Sequence, residues 1–159
     1  MKAAIVMGSK SDYPVVERAE AILKEFGVDF VTRIISAHRT PRVAEEFASK
    51  AEENGIEVII AAAGKAAHLG GVLAAFTAMP VIGLPVKSST LDGLDSLLSI
   101  VQMPKGVPVA TVAIDGAENA ALLAVQILSV KYPELRAKMK DYKKRMEQEI
   151  IKQDQEFNA

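Results

Sequence analysis

Cysteine is absent from the 159 residues, and so is tryptophan. The first absence excludes disulfides, thiolate metal sites and a cysteine nucleophile together. Aromatic residues make up only 5% of the chain against 50% hydrophobic residues, so the expected core is built from small aliphatic layers rich in Ala and Val. An excess of charge of one sign is also missing, since 19 Lys and Arg stand against 20 Asp and Glu for a formal charge of −1. That balance creates no bulk field to draw in nucleic acid or an anionic membrane. No window approaches the roughly 20 apolar residues of a membrane span. The opening run MKAAIVMGSKSD reaches Gly8 too soon for a secretory signal. A cytoplasmic location is expected.

What is present is a regular alternation. Short β-branched runs at residues 3–7, 29–35, 57–62, 80–84 and 107–114 read as strands. They are apolar almost throughout, as expected when helices cover both faces of a parallel sheet. Between them lie helical patterns. Pro14 suits a first turn, and Val15, Ala19, Ile22, Leu23 and Phe26 form a stripe that Gly27 closes. Thr40 and Pro41 mark a second start, with Val43, Phe47 and Ala51 as the stripe and Gly55 as the stop. Further helices are expected over 68–77, 92–101 and 118–130. Five repeats of strand and helix predict an α/β fold with a doubly wound, parallel, five-stranded sheet.

No internal repeat or linker divides residues 1–131, which read as one α/β catalytic domain. Residues 132–152 read as an extra C-terminal helix, very charged, with a narrow apolar seam of Leu135, Met139, Tyr142, Met146 and Ile150. It packs either on its own domain or on a neighbouring subunit. Residues 153–159 read as a frayed tail.

Ligands of open parallel sheets bind beyond the carboxyl ends of the strands, so the loops leaving each strand carry the chemistry. The first, Gly8-Ser9-Lys10-Ser11-Asp12, combines a tight turn with the free N–H groups of a helix start. Asp12 either caps that helix or meets a hydrogen-bond donor of the ligand. The second, Ser36-Ala37-His38-Arg39-Thr40-Pro41, sets a His beside an Arg where folding needs neither. Imidazole ordinarily gives and takes protons near neutral pH, and Arg39 is a permanent cation suited to phosphate. Thr40 reads as the N-cap before Pro41. The third stretch, from Ala61 and Ala62 through Ala63, Gly64, Lys65, Ala66, Ala67, His68 and Leu69 to Gly71, is small enough to bring backbone against a flat ligand. His68 either touches that ligand or braces the helix that begins there. The stretches 85–89 and 102–106 read as loop or subunit contact.

Several standard sites fail on the residues. A dinucleotide fingerprint needs three spaced glycines after the first strand, where this chain has Gly8 alone. A Walker loop needs Gly where Ile59 stands and Ser or Thr where Ala66 stands. Ala61-Ala62-Ala63 offers no Asp of the receiver type at the third strand end, and no His or carboxylate pairs have metal-ligand spacing.

GSKSD, SAHRTP, AAHL and LDGLDSLLSIVQMP, in that order, make the chain closely similar to the bacterial carboxyaminoimidazole ribonucleotide mutases of purine biosynthesis. The likeness runs from about Ala3 to about Leu128. It implies a three-layer flavodoxin-like sandwich, a homo-octamer with sites where subunits meet, and neither metal nor organic cofactor. It implies a ribonucleotide substrate whose carboxylate moves from an exocyclic nitrogen to a ring carbon through released carbon dioxide. On the same ground Ser9, Ser11 and Arg39 would engage the phosphate, Asp12 the ribose, and His38 the migrating protons. Ser36 would shape the His38 loop, and Ala63, Gly64, Lys65, Ala66, His68 and Leu69 would surround the imidazole. The family's commonest third loop reads GGAAHLPG, so Lys65 and Gly70 depart from a Gly and a Pro. Lys65 either holds a carboxylate or snorkels outward. Three other readings compete: a direct carboxylase of aminoimidazole ribonucleotide using carbon dioxide, a flavodoxin-like binding module, and an inactive assembly protein. Scarce aromatics argue against flavin stacking in the second.

Overall fold

The computed structural model describes residues 1–158. Five parallel strands, β1 (Lys2–Met7), β2 (Asp29–Ile34), β3 (Val58–Gly64), β4 (Val81–Val86) and β5 (Ala110–Thr111), lie in the order β2-β1-β3-β4-β5. β1 is the switch point: it pairs with β2 on one side and β3 on the other, so the chain winds first one way and then the other. Side chains of a strand alternate between faces, and β1 separates two cores by that rule. Ala3, Ile5 and Met7 join a cluster with Val16, Ala19, Leu23 and Phe26 of α1 (Tyr13–Phe26) and the alanines of α5 (Ala117–Leu128). Ala4 and Val6 face the opposite way, toward α2 (Pro41–Ser49), α3 (Leu69–Phe76) and Ile100 of α4 (Leu94–Val101). Helices on both faces of a doubly wound sheet make the three-layer sandwich.

Local chemistry sets where these elements stop. Gly27 ends α1 in the left-handed conformation at φ 72°, its N–H bonding to the Leu23 and Lys24 carbonyls. α2 is shorter than its pattern suggests, ending at Ser49, and the chain reaches Gly55 through turns. Its inward residues are Ala44 and Ala48, followed by Ala51, while Val43 is exposed. Thr40 does not cap α2 with its side chain. Its hydroxyl turns back to Ser36, donating to the carbonyl at 3.0 Å and accepting from the N–H at 3.0 Å. β5 also shrinks from the expected 107–114 to Ala110–Thr111. Pro108 offers no N–H to a ladder, and after Val112 the chain turns through Asp115 at φ 54°.

α6 (Pro133–Phe157) continues past the expected end at residue 152 and holds residues 153–157 in helix; Ala159 lies outside the described residues. Its first half packs on its own domain. Leu135 and Met139 enter the α1–α5 core, and the Tyr142 ring tilts against Phe26 at 5.7 Å between centroids. Lys138 donates to the Phe26 carbonyl at 2.7 Å. Farther along, Met146 (49% exposed), Ile150 (64%) and Phe157 (89%) meet nothing of this chain's core. Among the described residues no helix is long and apolar enough to cross a membrane.

Candidate active site

All of the strands point their carboxyl ends at one edge of the sheet, and the loops that leave four of them enclose a cavity of about 600 Å³. That volume suits a nucleotide-sized ligand. The β1 exit builds one wall. Gly8 N–H bonds to the Ala62 carbonyl at 3.1 Å, holding this loop against the end of β3. Ser9 then opens a single 3-10 turn: its Oγ accepts from Ser11 N–H at 3.3 Å, and the Asp12 carboxylate accepts from Ser9 N–H at 3.1 Å. Asp12 thus closes this turn and makes no side-chain cap for α1. Burial raises its carboxyl above the ordinary value of 3.8, while the Ser9 N–H and the Ser11 hydroxyl pull it back.

The β2 exit stands beside it. Ile35 N–H bonds to the Met7 carbonyl at 2.9 Å, which ties the two exits together. Ser36 Oγ accepts from both Arg39 N–H (3.2 Å) and Arg39 Nε (3.3 Å). The guanidinium then reaches across to donate to the Gly8 carbonyl at 3.1 Å. A fork held at two points places a fixed cation next to the Ser9 and Ser11 hydroxyls. His38 extends toward the third loop, where its Nε2 lies 2.9 Å from Nδ1 of His68. The two rings meet edge to face, with centroids 5.0 Å apart and planes at 77°.

The β3 exit is the narrow wall. A Cβ on Gly64 would stand 3.2 Å from the Val86 carbonyl oxygen, a tighter approach than most side chains make. Lys65 follows in the left-handed region at φ 55°, exposed on the rim. Ala67 and Leu69 are buried beneath the loop and anchor it. His68 sits at the position before α3, yet its side chain caps nothing there and turns to His38 instead.

Ser9, Ser11, Asp12, Ser36, His38, Arg39, Ala63, Gly64, Lys65, Ala66, His68 and Leu69 all line this cavity. So do Gly8 and Ala37, which the sequence reasoning placed in these loops without a role, and Lys87, Ser88 and Ser89, whose stretch it read as loop or subunit contact. Lys87–Ser89 leaves β4 at the same sheet edge, and that position was the available signal. Lys87 N–H is held by the Asp115 carboxylate at 2.8 Å, and Ser88 Oγ donates to the Asp95 carboxylate at 2.9 Å. Among the described residues no cluster of three or more His, Asp or Glu side chains is gathered for a metal ion. The chemical inventory is an anion corner, a pair of touching imidazoles and a wall of bare backbone.

A family profile described as AIR carboxylase matches residues 2–149. The N5-carboxyaminoimidazole ribonucleotide mutase of Pyrococcus abyssi is 63% identical over 145 residues, 91% of this chain and 83% of that protein. The protein of the same name from Thermotoga maritima is 60% identical over 154 residues, 97% of this chain and 90% of its own length. Among solved structures, PurE of Treponema denticola matches with a TM-score of 0.89 at 32% identity, covering 98% of this chain and 97% of that one.

Proposed function

The chain belongs to the AIR carboxylase family, and from that premise we propose that it converts 5-carboxyaminoimidazole ribonucleotide into 4-carboxy-5-aminoimidazole ribonucleotide in purine biosynthesis. One observation carries the reading: the GSKSD, SAHRTP and AAHL loops converge on one cavity in a chain whose relatives are named for that mutase.

The arrangement suits the reaction. Ser9, Ser11 and Arg39 form the corner that takes the phosphate, and charge-assisted bonds from a held guanidinium make that contact strong. Asp12 faces the ribose hydroxyls, since a carboxylate beside the phosphate would be repelled. These remote contacts supply binding energy that presses the ring toward His38. Ser36 holds the His38–Arg39 turn. The backbone of Ala63, Gly64, Lys65 and Ala66 reads the ring edges, with His68 and Leu69 closing the far side.

His38 is the acid–base group. It delivers a proton to the exocyclic nitrogen, the nitrogen–carboxylate bond breaks, and carbon dioxide is released into the cavity. The ring carbon then bonds to that carbon dioxide, and His38 removes the proton the carbon carries. Transfers of this kind contribute about 10²–10⁴-fold. Carbon dioxide must not escape between the two steps, so the cavity has to exclude water.

A second copy of the chain supplies that closure. Phe76, Leu94, Leu98 and Val101 are exposed on α3 and α4, and Met146, Ile150 and Ile151 on the outer half of α6. Apolar side chains in such number fit a homo-oligomer, an octamer by the family's habit. The protein works in the cytoplasm and needs no metal or organic cofactor.

The test is turnover of the carboxyamino ribonucleotide and of the uncarboxylated aminoimidazole ribonucleotide, side by side at low bicarbonate. Rapid use of the first alone is the expected result. Rapid use of the second would make the protein a direct carboxylase. His38→Asn should lower turnover by about 10²-fold or more, and an Asn variant with full activity would remove His38 from the chemistry.

A further inference from the structure

A strand inside a sheet is held from both sides as it leaves, but the sequence of β4 interrupts one of them. On the β5 side the ladder runs as far as the Gly83 carbonyl, which accepts from Val112 N–H at 3.0 Å. Backbone groups of alternate residues point to the same neighbouring strand, so the next N–H due to β5 belongs to residue 85. That residue is proline and has no N–H to give. The ladder fails two residues before Lys87, where this part of the cavity wall begins. Asp115 takes over. Its N–H donates to the Pro85 carbonyl at 2.8 Å, and its carboxylate accepts from Lys87 N–H at 2.8 Å. One residue thus supplies the donor from its backbone and the acceptor from its side chain. It does so in the left-handed region, at φ 54°, which Asp enters more readily than most residues. The Asp115 carbonyl is fixed in turn, accepting from Arg18 of α1 and from Ala117 N–H, each at 2.9 Å. Between the two pinned positions stands Val86, in register with Gly64 of β3. Its carbonyl is the one that a Cβ on Gly64 would approach to 3.2 Å.

We propose that Asp115 is a positioning residue for the substrate. By pinning β4 at Pro85 and Lys87 it sets where the Lys87–Ser89 wall stands against the β3 exit, and with it the width of the slot between them. The proposal rests on the mutase reading of this cavity, in which that slot holds the imidazole ring. Asp115 stands behind the wall and acts through Lys87 and Val86. A wall already in place needs no ordering when the ring arrives, so the pinning contributes to binding. His38 is carried by the β2 exit, which Asp115 does not hold. Loosening the β4 wall therefore costs KM more than kcat.

The experiment compares wild type, Asp115→Gly and Asp115→Asn in saturation curves on the carboxyamino ribonucleotide, and follows exchange of the Lys87 amide hydrogen into deuterated water. Gly and Asn both accept a positive φ, so neither variant adds backbone strain. Asn keeps a side-chain oxygen for Lys87 N–H, and Gly removes it. The Gly variant is expected to raise KM about fivefold or more, the worth of one hydrogen bond, with kcat within roughly threefold of wild type. Its Lys87 amide is expected to exchange faster. The Asn variant is expected to match wild type in all three. A Gly variant with wild-type KM overturns the proposal, as does an Asn variant impaired like Gly, or a loss confined to kcat. Wild-type protein that turns over neither ribonucleotide overturns the mutase reading instead. A Lys87 amide that exchanges no faster in the Gly variant overturns the pinning whatever the turnover.

Discussion

At the scale of single residues, Asp12 joins stability to the site. Burial raises its carboxyl above 3.8, so the folded chain holds that proton more tightly than the unfolded chain does. This contribution favours folding fully below pH 3.8 and is lost as pH rises to the raised folded value. Asp12→Asn removes the dependence. Wild-type stability relative to the variant should therefore decline as pH climbs out of the acid range and then level off; urea unfolding at several pH values checks this. His38 and Arg39 were legible in the sequence as candidates because folding needs no ionisable group at that strand exit, whereas Asp12 was less so, since closing a helix start explains it as well. The His38–His68 contact was not, because it depends on how far two separate loops lean toward each other. Nor was the positive φ of Lys65, which follows from the turn around it and not from lysine itself.

Among the elements, the segment between β4 and α4 has little freedom to change. Leu91, Asp92 and Gly93 follow one another at φ 53°, 52° and 94°. A Cβ at Gly93 would meet Ile114 Cγ2 at 2.8 Å and Lys87 Cα at 3.1 Å. Gly93→Ala therefore combines backbone strain with a close clash, and we expect a loss of about 2 kcal/mol or more. It should also move Lys87 and Ser88 and raise KM. Denaturant titration and substrate saturation curves measure the two effects. Unchanged stability would show that the loop relaxes freely. Strand and helix order was readable because apolar period and Gly or Pro punctuation agree along most of the chain. Lengths were less so. Pro108 and Asp115 cut β5 short, and α6 continues to Phe157 because nothing in its charged outer turns breaks a helix.

For the molecule as a whole, α6 is half committed. Leu135 and Met139 belong to this chain's core, whereas Met146 and Ile150 present the same seam to the outside. The sequence pattern left own domain and neighbour as equals because the spacing is uniform along the helix, while the domain beneath it ends near Tyr142. Sedimentation should give a mass well above the 17.0 kDa of one chain, and Ile150→Glu should lower it. A wild type that sediments as a single chain would remove the assembly. The parallel sheet has one more consequence. Strands that all deliver their exits to one edge leave the other edge to their beginnings, where Met1 lies 3.8 Å from Glu57. The six residues of β1 put about 20 Å between that edge and Gly8. A bead or sensor surface that grips the protein by its amino terminus therefore holds it with the cavity turned toward the bulk solution.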